Sequence, residues 1–199
     1  YALAMGLGMG ATAVVARRIG EHDADGAARG AVQAVALAIG ISIALGVTGV
    51  LLAPRLLALM GAGPEVIAVG QGYTRIMLGG EVSVVVLFVV NAALRGAGDA
   101  ATAMRVLWLG NAINLVLDPL LIFGLGPFPE LGVTGAAVAT TTGRTIAALF
   151  AISRLVRPNA RLVIRREHLR LEPAVLGTIA RISANGSFQA IVGTASWIG

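Results

Sequence analysis

The chain has 199 residues, 57% of them hydrophobic and only 13% charged, with a mean hydropathy of +0.86 and a formal net charge of +5. A soluble domain carries roughly 25% charged residues, and one this apolar would expose sticky surface throughout, so the composition is that of a membrane protein. Cysteine is absent, which excludes disulfides and thiolate metal sites. The basic balance is not that of a nucleic-acid binder, because the arginines stand at the ends of apolar segments instead of on one polar face.

Crossing the hydrocarbon takes about 20 predominantly apolar residues, and six stretches meet or approach that length. The first, Tyr1–Ala16, starts inside an apolar run. Its Gly6-Leu-Gly8-Met-Gly10 imitates part of a dinucleotide fingerprint but lacks the βαβ setting; spaced small residues suit close helix packing instead. The second span is Ala27–Ala53. The third, Val66–Leu94, holds Glu81 near its middle and Arg75 near an end, where a long side chain can snorkel to the interface. The loop Arg95-Gly-Ala-Gly-Asp99 lacks the Gly-Lys-Ser/Thr of a phosphate loop. Thr102–Leu125 is the fourth span and contains Asn114, Asp118 and Pro119; Val133–Leu155 is the fifth and contains Thr140 and Arg144. The polar stretch Arg157–Glu172 alternates in a way that suits a strand-like or interfacial segment on the membrane surface. His22 and His168 stand alone in loops without metal-ligand spacing. The sixth span, Pro173–Ile198, carries Arg181 near its start, and the chain stops within an apolar run. The expectation is an internal fragment of a longer all-α polytopic membrane protein.

Long continuous apolar runs do not resemble the alternating segments of about 10 residues that build a barrel. The loops after spans one, three and five hold most of the arginines, from Arg17 and Arg18 to Arg170, whereas the alternate loops hold Arg55 against Glu65 and Glu130. By the positive-inside rule the basic loops are expected in the cytoplasm.

The side chains with chemistry are few. A carboxylate at membrane depth costs ~2.5–3.5 kcal/mol on insertion scales, so Asp118 is a functional candidate. Asn114 lies four residues earlier and shares its helix face. An amide oxygen and a carboxylate suit a hard cation such as Na+, and the same carboxylate can take a proton, since low-dielectric surroundings disfavour a bare charge. The alternative is structural, with Asp118 an N-cap and Pro119 the first residue of a restarted helix. Pro119 predicts a kink, either a hinge or a static bend. Glu81 and Arg144 lie at similar depth and suggest a buried ion pair, with substrate handling as the other role for Glu81. No catalytic triad or paired-acid arrangement is present, and the expected activity is not enzymatic.

Four segments together resemble the multidrug and toxic compound extrusion (MATE) family: Ala16-Arg-Arg-Ile-Gly-Glu-His-Asp23, Asn91-Ala-Ala-Leu-Arg-Gly-Ala-Gly-Asp99, Asn114-Leu-Val-Leu-Asp-Pro-Leu-Leu-Ile-Phe-Gly124 and Gly132-Val-Thr-Gly-Ala-Ala-Val-Ala-Thr140. Each is short, and their order along successive loops and helix ends carries the likeness. The resemblance implies part of a twelve-helix, two-lobe transporter. Residues 1–156 would be family helices two to six, 157–172 a cytoplasmic interlobe loop and 173–199 the start of helix seven. It also implies a cation site in which Asn114 and Asp118 match an Asn-x-x-x-Asp pair and Thr140 a threonine of the next helix. The implied function is export of cationic or amphiphilic small molecules by alternating access. The coupling ion would be Na+ or H+ without further cofactors, and the full-length protein a monomer in the lipid bilayer of a bacterial or archaeal plasma (inner) membrane. Glu81 and Arg144 depart from the family pattern, and Arg144 could pair with Asp118 in place of a bound cation. A lipid-linked oligosaccharide flippase of the same wider superfamily is the second reading.

Overall fold

The computed structural model describes residues 2–157 and 160–195. It is all-α: α1 Ala2–Gly20, α2 Ala24–Leu59, α3 Pro64–Gly79, α4 Glu81–Gly96, α5 Ala100–Ile122, α6 Gly132–Leu155 and α7 Pro173–Ala195, with one 3-10 turn at Arg166–Leu169. Taking α3 and α4 as one span, five stretches of the described residues are long and apolar enough to cross a membrane. α7 has the length, at 23 residues, but Arg181, Asn185 and Gln189 dilute its apolar character.

Two expected spans change most. The third span is not one rod, because the chain breaks at Gly80, which ends α3 and starts α4. The second span runs past Ala53 through Pro54 to Leu59. The strand-like reading of Arg157–Glu172 fails among the described residues. No neighbouring strand offers a ladder, and the segment instead buries Leu162 and His168 against the helices before making its 3-10 turn. His168 is also not alone: its Nε2 lies 3.2 Å from Asp25 Oδ1, and its Nδ1 accepts the Arg165 N–H at 3.1 Å.

Local chemistry explains how the helices end. In the α1–α2 corner the Asp23 N–H donates to the Arg18 carbonyl at 2.9 Å and the His22 N–H to Ile19 at 3.0 Å. This six-to-one, five-to-two pair is a Schellman closure, which needs a left-handed residue; His22, at φ 59°, supplies it. The α4–α5 corner repeats the arrangement with Asp99 on Leu94, Gly98 on Arg95 and Gly98 at φ 79°. Each closing aspartate then caps the following helix: Asp23 Oδ1 accepts the Gly26 N–H at 2.7 Å and Asp99 Oδ1 the Thr102 N–H at 3.1 Å. On the surface of the first corner, the hydrogen bond from Arg17 holds the Glu21 carboxyl below its ordinary range.

The core is made of small and β-branched side chains around α4. One side of α4, with Val85, Val89 and Ala92, meets Ala4, Leu7 and Ala11 of α1 and Ala34 and Ala38 of α2. The other, with Val86, Val90 and Ala93, meets Ala27, Ala28 and Ala31 of α2 and Ala147, Ala148 and Ala151 of α6. Lipid tails are as apolar as leucine, so helix association depends on close approach, which small residues permit. α1 and α7 show it directly: Gly6 lies against Ser187, and Gly10 against Ser183, one turn apart on each helix. Large side chains such as Leu51, Trp108, Leu115 and Phe123 face outward, as lipid contact requires.

Candidate cation site between α5 and α6

α5 runs unbroken from Ala100 to Ile122, so Asp118 is a helix-interior residue and not an N-cap; the cap of this helix is Asp99. Pro119 therefore sits inside the helix, where it withholds one hydrogen bond from the preceding turn. The i, i+4 spacing brings Asn114 and Asp118 together: Asn114 Nδ2 donates to Asp118 Oδ1 at 3.2 Å. The same Nδ2 donates to Thr140 Oγ1 of α6, also at 3.2 Å. The three residues foreseen as one site thus converge, and Asn114 is the bridge between the helices. All three are half-buried.

Close helix approach makes the bridge possible. A Cβ on Gly143 would stand 3.0 Å from the Gly110 carbonyl and 3.4 Å from the Asn114 backbone nitrogen, and one on Gly110 would stand 3.1 Å from Ala147 Cβ. Lower down, Gly135 lies against the Leu121 carbonyl. Glycines at 110, 135 and 143 let α6 run along α5 so that a short threonine reaches an asparagine.

The other two candidates are not joined. Among the described residues, Arg144 makes no ion pair with Glu81 or with Asp118. Similar depth does not place two residues on facing sides of their helices. What links α4 to α6 at this level is hydroxyl chemistry: the Thr145 and Ser83 hydroxyls are 2.8 Å apart, Thr145 also donates to the Thr141 carbonyl at 2.7 Å, and Gly80 abuts the Thr141 side chain. Glu81 occupies the first turn of α4, where the unpaired backbone N–H groups favour a carboxylate. It borders a cavity of about 630 Å³ walled by α1, α2 and the α3–α4 break, with Leu7, Ile41, Leu45 and Val85 among its apolar sides. Glu81 is the only titratable residue among the described ones on that wall. Ser83 and Thr145 went unnoticed in the sequence because an isolated hydroxyl in an apolar run is ordinarily spent on its own helix.

Chemically, the α5–α6 cluster offers a carboxylate, an amide and a hydroxyl. Rotating the Asn114 amide presents its oxygen, and the set then supplies three oxygen ligands of the kind a hard monovalent or divalent cation takes. With a proton on Asp118 instead, the same set closes as a hydrogen-bonded network.

Comparison with known proteins identifies the family and the fold. The MatE family model matches residues 1–120. Over 138 residues the chain is 36% identical to the FAD transporter of Shewanella oneidensis, covering 69% of this chain and 30% of that protein. Over 145 residues it is 37% identical to the probable multidrug resistance protein NorM of Thermotoga maritima, covering 70% and 30%. A crystal structure of MATE in the bent conformation superposes with a TM-score of 0.89 at 33% identity, over 99% of this chain and 43% of that one. The chain therefore spans about 30% of the length of these curated relatives, and its helices occupy less than half of a twelve-helix, two-lobe architecture.

Proposed function

The chain belongs to the MatE family, whose members are membrane transporters and not enzymes, and from that premise we propose that it forms part of a cation-coupled antiporter exporting amphiphilic or cationic small molecules by alternating access. Asp118 is the coupling residue, with Asn114 and Thr140 as its partners and Na+ or H+ as its ligand. The observation that carries this reading is the Asn114 amide, which touches Asp118 on its own helix and Thr140 on the next. A ligand can shift an equilibrium between two states only by binding them unequally. A site split across two helices provides that inequality, because any sliding of α6 along α5 changes its ligand set. Pro119 next to Asp118 lowers the cost of bending α5 there, which suits a hinge.

For the substrate, identity to relatives is uninformative, since proteins named for FAD and for multidrug resistance match about equally well. The apolar cavity with Glu81 on its wall supports an apolar body carrying a positive charge. A flippase for pyrophosphate-linked lipids calls for several deep cationic groups; among the described spans Arg144 is the deep arginine, and the cavity presents a carboxylate instead. We place the protein in a prokaryotic plasma membrane, as its bacterial relatives suggest, with its basic loops in the cytoplasm on the strength of the arginine asymmetry.

The decisive test is Asp118→Asn in the full-length protein. Insertion and fold should survive, because the amide keeps the size and the hydrogen bond to Asn114. Export driven by an imposed sodium or proton gradient in vesicles should fall to background. Export at the wild-type rate would remove Asp118 from the mechanism.

A further inference from the structure

At the end of the bundle that carries the basic loops, α2, α4, α6 and the connecting segment leave an open crevice of about 450 Å³. Its walls include Val32 and Ile39 of α2, Val90 of α4, Ile152 of α6, and Leu169 and Leu171 of the connecting segment. Every residue on its wall is apolar. Along α2 the lining runs from residue 32 to 39, so the crevice reaches about 10 Å into the bundle at 1.5 Å per residue. Its mouth is basic. Between Arg154 and Glu172 the chain holds six arginines against two glutamates. Arg165 is paired with Glu167 at 3.5 Å and Arg154 lies over the Phe150 ring at 5.8 Å. Arg157, Arg166 and Arg170 are exposed and lack an acidic partner among the described residues. They neighbour lining residues along the chain: Arg157 follows Val156, Arg170 lies between Leu169 and Leu171, and Arg166 opens the turn that carries Leu169.

We propose that this crevice seats an acyl chain of an anionic phospholipid from the leaflet facing the basic loops, with its phosphate held at the lip by Arg157, Arg166 and Arg170. The occupant follows from what the walls withhold. An extended peptide segment would bring unpaired backbone N–H and C=O groups into a slot without a polar side chain, at several kcal/mol for each group. A hydrocarbon chain brings none. The headgroup follows from the lip, since juxtamembrane arginines attract anionic lipid at about fivefold in affinity per residue. Basic grooves between helices on one side of the membrane are a recognised form of such sites.

The test uses the protein solubilised from membranes and exchanged into mixed micelles of dioleoylphosphatidylglycerol and dioleoylphosphatidylcholine. Native mass spectrometry should show preferential retention of the phosphatidylglycerol. The triple variant R157Q/R166Q/R170Q should lose that preference by at least about tenfold, whereas R157K/R166K/R170K should keep most of it. A phosphatidylglycerol carrying a photoreactive diazirine in its acyl chain should label residues 32–39 and 152–156, and a phosphatidylcholine analogue should label them far less. Equal retention of the two lipids overturns the proposal. So does labelling spread evenly around the helices, which would mean a diffuse ionic annulus, or label carried by a co-purifying peptide instead of the lipid. The photolabelling needs no mutation, so it decides the matter even if an arginine variant fails to fold.

Discussion

Thr140 contributes a single hydroxyl to the α5–α6 cluster, and that hydroxyl meets Asn114 across the helix pair. Thr140→Val keeps the shape and removes the oxygen. A lost hydrogen bond of this kind is worth about 0.5–1.5 kcal/mol, so the half-saturating concentration of the coupling ion in vesicle export should rise by roughly two- to tenfold. Thr140→Ser should stay close to wild type in the same assay. An unchanged half-saturation in Thr140→Val would leave Asp118 and Asn114 as the whole site. The Asn114–Asp118 pair was legible because spacing of four on a helix forces proximity. Thr140 was not legible that way: 26 residues separate it from Asn114, and only the likeness to a family motif pointed to it. The proposed Glu81–Arg144 pair failed for the complementary reason, since depth in a span says nothing about which way a side chain faces.

Between elements, the α5–α6 crossing depends on the absence of side chains at Gly110 and Gly143. Gly143→Leu would drive a side chain into the Gly110 carbonyl and the Asn114 backbone. Overpacking of this kind costs about 1–3 kcal/mol, so the variant in detergent should unfold several degrees lower. It should also lose ion-dependent protection of α5 in hydrogen exchange, while a Leu at exposed Gly40 changes neither. Retention of the ion effect in Gly143→Leu would detach the site from the crossing. Hydropathy could not have found this crossing, because a glycine inside an apolar run looks like any other small residue. The break at Gly80 had a local mark in Gly79-Gly80-Glu81, but hydropathy averaged over the span merges the apolar residues on either side into one run. The corners were no easier. Asp23 and Asp99 are residue types that cap helices, yet the cap weighed from the sequence was Asp118, and the left-handed His22 that closes the first corner carries no signal in the sequence.

At the scale of the molecule, the connecting segment is fastened to the bundle by one buried glutamine. Gln33 is fully buried on α2; its Nε2 donates to the Arg170 carbonyl at 2.6 Å and its Oε1 accepts the Glu172 N–H at 3.1 Å. His168 on Asp25 and Arg29 on Glu172, the latter at 3.7 Å, add contacts on either side. Gln33→Leu leaves both backbone groups without their partner, at about 1–3 kcal/mol for each that stays buried. Amides of residues 165–172 should then exchange at least tenfold faster while those of α4 stay slow; equal rates in both proteins would mean the segment is held by its other contacts. An apolar-to-polar composition change marked this segment as the boundary between helices, but its anchor lies 137 residues away from Arg170 and could not be read from the stretch itself.

The position of the α5–α6 cluster along its helices has one more consequence. Asp118 is four residues before the end of α5 and Thr140 eight after the start of α6, which puts them about 6 and 12 Å from the side opposite the basic loops. In the proposed cycle, an ion arriving from that side would cross only a minor part of the transmembrane field, whereas release to the other side would traverse most of it. At about 2.3 kcal/mol per unit charge and 100 mV, the membrane potential would act chiefly on release and hardly on capture, and electrogenicity would belong to the inward half of the cycle.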